Sequence, residues 1–196
     1  KFKLTKDHTD VANLHTINCY LDNVSYALKA PIKLIYTGDP FHGGRLYTNI
    51  QNLANRKIKI RINTLINNEK VCEIDLTANH PSIAMALSNK KLDNNFYEII
   101  SKTANINYDW AKDYIRSAIG ASNRGIKLKE LSKYDTAKID EVIKEIYPEV
   151  FECMYKGMGS RYQSLEGQIL IKAMLTLVDK DIPSLPIHDA IMVQQQ

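Results

Sequence analysis

Val71-Cys72-Glu73-Ile74-Asp75-Leu76-Thr77-Ala78-Asn79-His80-Pro81-Ser82-Ile83-Ala84-Met85-Ala86-Leu87-Ser88-Asn89 is the stretch on which the reading of this chain turns. It opens as a strand and closes as a helix. Val71, Ile74 and Leu76 supply the apolar, β-rich content of a core strand. Pro81 marks the start of a helix, where a missing N–H costs nothing. Residues 83–87 then read as a mostly buried helix. Asp75 falls near the end of the strand. A carboxylate is costly to shield there unless donors or a cation meet it. A rigid strand end beside a helix N-terminus is a place where such an acid can hold a metal.

Upstream, residues 57–62 alternate Lys57, Ile58, Lys59, Ile60, Arg61, Ile62 and predict a half-buried strand with one basic face. Asn67-Asn68 makes a turn into the Asp75 strand, so the two strands form a hairpin. Residues 32–36 predict a short strand. Residues 37–44 predict a loop holding Gly38, Pro40, Gly43 and Gly44. Residues 9–29 show helical spacing, with Thr9 or Asp10 as cap and Pro31 as terminator.

Downstream, residues 94–103 and 108–119 are helical in pattern, and Gly120 and Gly125 bracket a weaker stretch. Residues 136–147 place Ile139, Val142, Ile143 and Ile146 on one face. Pro148 breaks or restarts that helix, and Val150, Phe151 and Met154 continue its apolar stripe. Residues 161–178 predict a long helix, apolar almost all round from Ile169 and therefore central. Residues 185–193 are strand-like, with Pro186 near the start and His188-Asp189 inside the run. Polar residues in such a run are satisfied locally or face a site.

Asp75 and Asp189 are thus two acids that interrupt apolar, strand-like segments. If those strands are sheet neighbours, the carboxylates converge. Oxygen donors without a Cys or His cluster favour Mg²⁺ over zinc. Two ions ~3.5–4 Å apart activate a hydroxyl and stabilise a leaving phosphate. The alternative is that each Asp only caps a turn. Lys112 and Arg116 project from one helix face and can hold a polyphosphate, or form a solvated basic face. Arg45, Asn49, Gln51 and Asn52 follow two glycines in a donor-rich loop suited to phosphate, sugar or groove-edge contacts, or simply exposed. Of five histidines, His80 and His188 lie beside these features. The chain lacks the phosphate-loop, dinucleotide-fingerprint, nucleophile-elbow and zinc-protease motifs.

The 196 residues allow one compact domain or two small ones, and 44% hydrophobic with 24% charged content is ordinary for a globular chain. A net charge of +4 is compatible with an anionic partner. Cys19, Cys72 and Cys153 are scattered and odd in number, which fits a reducing compartment rather than a disulfide framework. No secretory leader is legible, and no apolar run approaches the ~18 residues of a membrane span. Asn23-Val24-Ser25 is read as a chance glycosylation triplet. Lys1 opens mid-pattern, and Gln194 to Gln196 closes a strand without a turn, as in a fragment.

Taken in order, these residues resemble the polymerase core of family A DNA polymerases, nearest to the compact, divergent kind carried by phages and mobile elements. Gly44-Arg45-Leu46 with Asn49-Ile50-Gln51-Asn52-Leu53 is similar to that family's Gly-Arg-Leu…Asn-Leu-Gln-Asn stretch, which implies minor-groove contact by Arg45. Glu73-Ile74-Asp75-Leu76-Thr77-Ala78-Asn79-His80-Pro81 resembles motif A, which implies metal binding by Asp75 and by the carbonyl of Leu76. His80 stands where that family has a sugar-selecting Glu. Lys112, Arg116 and Arg124-Gly125 match the spacing of motif B and imply binding of the incoming triphosphate, although Gly120 replaces an aromatic and Arg124 a Tyr. The run from Gln163 to Met174 resembles a helix whose Gln touches the duplex near the growing end. Leu185-Pro186-Ile187-His188-Asp189-Ala190 is similar to motif C, with His188-Asp189 at a hairpin tip, His188 near the duplex end, and Ala190 in place of an accessory Glu.

The resemblance implies an α+β fold, a polymerase palm with a small antiparallel sheet and an inserted helical fingers subdomain. Residues 1–42 would form an N-terminal helical segment, a remnant or start of the thumb. Residues 43–90 would form the first part of the palm, 91–160 the fingers and 161–196 the second part of the palm. The strands within residues 57–76 and 185–193 would share the sheet. It implies DNA polymerase activity on a DNA primer-template with nucleoside triphosphates, two Mg²⁺ ions (Mn²⁺ as substitute), and location in the cytoplasm or nucleoid of a bacterial or phage-infected cell. The segment before Gly44 is too short for a full thumb, which implies weak processivity or an accessory protein. No proofreading exonuclease is legible. Two alternatives stand beside this reading: a primase-like or ribonucleotide-incorporating polymerase, given His80, and a non-catalytic nucleic-acid-binding subunit, given Ala190 and Gly120.

Overall fold

The computed structural model describes residues 4–55 and 57–195. The chain is mixed α+β with small antiparallel sheets. It divides into two compact units, Lys1–Leu76 with Gln163–Gln196 and Thr77–Tyr162.

The first unit carries helix α1 (Thr9–Leu21), strands β1 (Lys33–Tyr36), β2 (Gly43–Tyr47), β3 (Leu65–Ile66) and β4 (Glu69–Asp75), and later β5 (Ser184–Ile187) and β6 (Ala190–Gln194). β1 pairs with β2, and a four-stranded sheet runs β3-β4-β6-β5, antiparallel throughout. Two short turns set its register. Asn67 (φ 49°) and Asn68 (φ 64°) join β3 to β4, using the left-handed backbone that Asn tolerates. His188 (φ 55°) and Asp189 join β5 to β6. Ile66, Val71, Leu185, Ile187, Ala190 and Met192 meet Ile17 and Leu21 of α1 and Leu170, Ile171 and Met174 of the long helix α7 (Gly159–Val178) in one core.

The second unit is helical: α2 (Asn79–Leu87), α3 (Phe96–Ala104), α4 (Tyr108–Gly120), α5 (Lys133–Ile146) and α6 (Pro148–Cys153), with the first residues of α7. Asn107 caps α4 through the N–H groups of Asp109 and Trp110. Ser132 and Asp135 form a reciprocal capping box on α5. Pro148 restarts the chain as α6 from its first turn. Phe96, Ile100, Ala111, Ile115, Ile119, Ile139 and Ile143 are buried to 1% exposure or less. Of the stripe read in residues 136–147, Ile139 and Ile143 face the core, whereas Val142 is half-buried and Ile146 is 41% exposed at the end of α5.

Several expectations need correction. Residues 57–62 are not a strand. The N–H groups of Ile60 and Arg61 both donate to the carbonyl of Ala54, and the chain curls into a 3-10 turn at Arg61–Asn63. Ile58, Ile60 and Ile62 are left 68%, 44% and 41% exposed, and the short β3 takes the place beside β4. α1 stops at Leu21, because Asn18 bonds the backbone of Ile32 on both sides and turns the chain back, while Lys29 donates to the carbonyls of Asp22 and Val24. Its cap is the His8 ring rather than Thr9 or Asp10. Gly43 and Gly44 belong to β2, not to a loop. Residues 185–193 are not one strand-like run but a hairpin with His188 and Asp189 at its tip, the arrangement that the likeness to motif C implies. Pro81 is the third residue of its helix, still within the first turn. The expected four-part division is also redrawn: residues before Gly43 pack with the sheet, and α2 belongs to the helical unit.

Among the described residues the three cysteines are free, and no helix is long and apolar enough to cross a membrane.

Candidate active site

β4 and β6 run antiparallel with Val71 opposite Gln194 and Asp75 opposite Ala190. One step on, the N–H of Leu76 donates to the carbonyl of Asp189 at 3.3 Å. The sheet register therefore brings the backbones of the two acids side by side at one end of the central strand pair. Both side chains are exposed. His188, also exposed, precedes Asp189 at the hairpin tip. The polar pair that interrupts residues 185–193 is thus the turn itself, and its neighbours Ile187 and Ala190 are buried on either side.

The two acids at this strand end offer carboxylate oxygens, with backbone carbonyls beside them and the His188 ring as the neighbouring nitrogen donor. Among the described residues no group of three or more His, Cys, Asp or Glu side chains assembles a closed metal cage. Mg²⁺ does not require one, since it keeps several waters and binds through one or two carboxylates. The residues present fit that ion and fit a structural zinc poorly.

Glu73 precedes Asp75 by two residues on the same strand, so the two share a sheet face. Its carboxylate takes both arms of the Arg61 guanidinium, Nε at 2.7 Å and Nη2 at 3.0 Å. The third guanidinium nitrogen reaches the backbone carbonyl of Gln51 at 3.4 Å. Neither side chain stands out as a site residue in the sequence; the signal that points to Glu73 is a second acid at strand spacing from Asp75.

Along β2 and beyond, Arg45, Tyr47 and Asn49 are exposed while Leu46, Thr48 and Ile50 are buried. Gln51 breaks the expectation of an outward donor: it is 9% exposed, and its Oε1 is buried without a hydrogen-bond partner. A side chain so enclosed does not present itself to a duplex groove. Gln163 is half-buried. Gly44 and Gly167 let β2 and α7 meet backbone to backbone, for a Cβ on Gly167 would lie 1.9 Å from the carbonyl oxygen of Gly44. The Ser164 hydroxyl donates to the carbonyl of Pro40 beside this contact.

In the helical unit, Lys112 and Arg116 of α4 gather around the buried ring of Tyr97 on α3. The Lys112 ammonium stands 5.8 Å from the ring centroid. Burial pushes the Tyr97 hydroxyl up to about 12, with the Arg116 charge opposing. Arg116 is exposed and Lys112 half-buried, so the cations flank an aromatic floor and keep access to solvent. Arg124 lies 5.6 Å from the Phe151 ring and 5.2 Å from that of Tyr155. His80 meets the Tyr162 ring edge-on at 5.7 Å. Behind this surface the hydroxyls of Tyr114 and Tyr155 both donate to Oδ1 of Asp140, at 3.0 and 2.6 Å, tying α4 to α5.

Compared with known proteins, this chain matches no family model, no curated protein and no solved structure.

Proposed function

We propose that this chain is a template-directed nucleotidyl transferase, a DNA polymerase of the family A type. On this reading the sheet unit is its palm and the helical unit its fingers. The observation that carries the proposal is the pairing of β4 with β6, which sets Asp75 beside Asp189 at a hairpin tip. Two separate stretches of sequence, each read as half of a metal site, become strand neighbours.

In this mechanism Asp75 and Asp189, with the carbonyl of Leu76, would hold two Mg²⁺ ions, which would supply Lewis acidity to the phosphoryl transfer. The chain's own residues position the reactants. Lys112 and Arg116 take the triphosphate, and Arg124 and His80 line the nucleotide's approach. Arg45, Asn49, Gln163 and His188 contact the primer-template. A primer 3′-oxygen forms a bond to the α-phosphorus, the α–β bridging oxygen departs with pyrophosphate, and the hydroxyl proton passes to solvent. Positioning and charge stabilisation provide most of the rate.

Primer extension by the full-length protein tests this, with Mg²⁺ and either deoxy- or ribonucleotides, with and without a primer. Extension that depends on a primer and disappears in both Asp75→Ala and Asp189→Ala supports the proposal. Extension unchanged in those variants ends the catalytic assignment. Preference for ribonucleotides or synthesis without a primer would move it to the primase-like reading.

A further inference from the structure

We infer that the Arg61–Glu73 ion pair sets the charge of the metal-binding face and thereby tunes its affinity for divalent ions. The inference rests on the proposed role of Asp75 and Asp189 and extends it to two residues outside that role. Glu73 and Asp75 are alternate residues of β4, so both point to one face, about 7 Å apart along the strand. Left alone, Glu73 would be a third carboxylate beside the two acids. It is not left alone: Arg61 grips both its oxygens at 2.7 and 3.0 Å. The pair is largely shielded, with side chains only 14% and 18% exposed. Seen from Asp75, the two charges cancel.

The consequence has a sign for each partner. Removing the Arg61 charge releases a carboxylate that adds attraction for a divalent ion. Removing the Glu73 charge releases a guanidinium that repels it. A unit charge acting on a divalent ion over about 7 Å, partly screened, changes affinity about fivefold. Removing both charges restores the balance. A purely structural role has a different signature, because loosening β4 weakens binding whichever partner is lost.

The test is titration of the intact protein with Mn²⁺, read by calorimetry or by the electron-spin signal of the free ion, with no nucleotide or DNA present. Arg61→Met should bind Mn²⁺ about fivefold more tightly than wild type and Glu73→Gln about fivefold more weakly. The double variant should return to within about twofold, as should Arg61→Lys, which keeps the charge. Thermal melts establish that each variant is folded, and the double variant, which strands neither charge, guards against loss of a single one. Shifts in the same direction for both single variants, or shifts under twofold in folded protein, overturn the inference. Asp75→Ala and Asp189→Ala separate the two levels. If they weaken Mn²⁺ binding while the charge variants do not move it, this inference alone fails. If they leave Mn²⁺ binding untouched, the metal reading fails and this inference with it.

Discussion

Leu76 donates its backbone N–H to the carbonyl oxygen of Asp189 at 3.3 Å, and this bond extends the β4–β6 ladder one step beyond Asp75 and Ala190. It ties the end of β4 to the tip of the β5–β6 hairpin, so the backbones of the two acids move as one piece. A constellation anchored on paired strands keeps its geometry better than one carried on loops.

Asp75→Asn and Asp189→Asn should each lower primer extension at least 100-fold, because removing one anionic ligand from a two-acid site removes much of its hold on the ions. Both side chains are exposed, so stability should change by less than about 1 kcal/mol. Melting curves and extension rates on the same samples check both statements.

Gly167→Ala should be among the most damaging small substitutions in the sheet unit. The added methyl would sit 1.9 Å from the Gly44 carbonyl oxygen, a backbone atom that no rotamer change can remove. α7 and β2 must separate, at a cost of about 2–3 kcal/mol or more. Urea unfolding should show a lower midpoint with an unchanged slope.

Alkaline pH should unfold the protein through its buried tyrosines. Burial raises the Tyr97 hydroxyl from 10.0 to about 12, and Tyr114 also lies near 12 through burial and the Asp140 carboxylate. Their folded-state values lie above the unfolded ones, so their contribution is complete below pH 10 and is lost as pH rises from about 10 to 12. Across that window the unfolded chain releases protons that the folded chain retains. Tyr97→Phe should flatten the fall in stability across pH 10–12, measured by denaturant midpoints at successive pH values.

Gly120→Tyr should be accommodated. Gly120 ends α4, and a Cβ built there meets nothing within 4 Å. Replacing a helical glycine removes backbone freedom from the unfolded chain, a gain of about 0.5–1 kcal/mol. If α4 is the nucleotide-binding helix, the new ring offers a stacking surface and the nucleotide KM should fall severalfold. A gain in stability with an unmoved KM would place the nucleotide away from this position.

Local order alone made much of the fold legible. Helices α3, α4, α5 and α7 follow from apolar spacing, because a stripe repeating at the helical period has one way to bury itself. The Asn67-Asn68 turn followed from side chains that tolerate left-handed backbone. The errors fell where local signals met stronger tertiary ones. The Lys-Ile alternation of residues 57–62 looks like a strand. A strand needs a partner edge, however, and Arg61 is instead drawn to Glu73 while the backbone bonds to Ala54. Gln51 read as an outward donor because loops are usually exposed, yet it lies under the folded chain.

The sequence by itself determined that Asp75 ends a strand, that Lys112 and Arg116 share a helix face, and that His188-Asp189 interrupts an apolar run. Each of these depends on residues only a few positions apart. Only the tertiary structure decided that Asp75 and Asp189 are neighbours, that Glu73 is neutralised by Arg61, and that Gly44 and Gly167 touch. Those pairings join distant parts of the chain through hydrogen-bond register and close packing, and no local pattern records which strand will lie beside which.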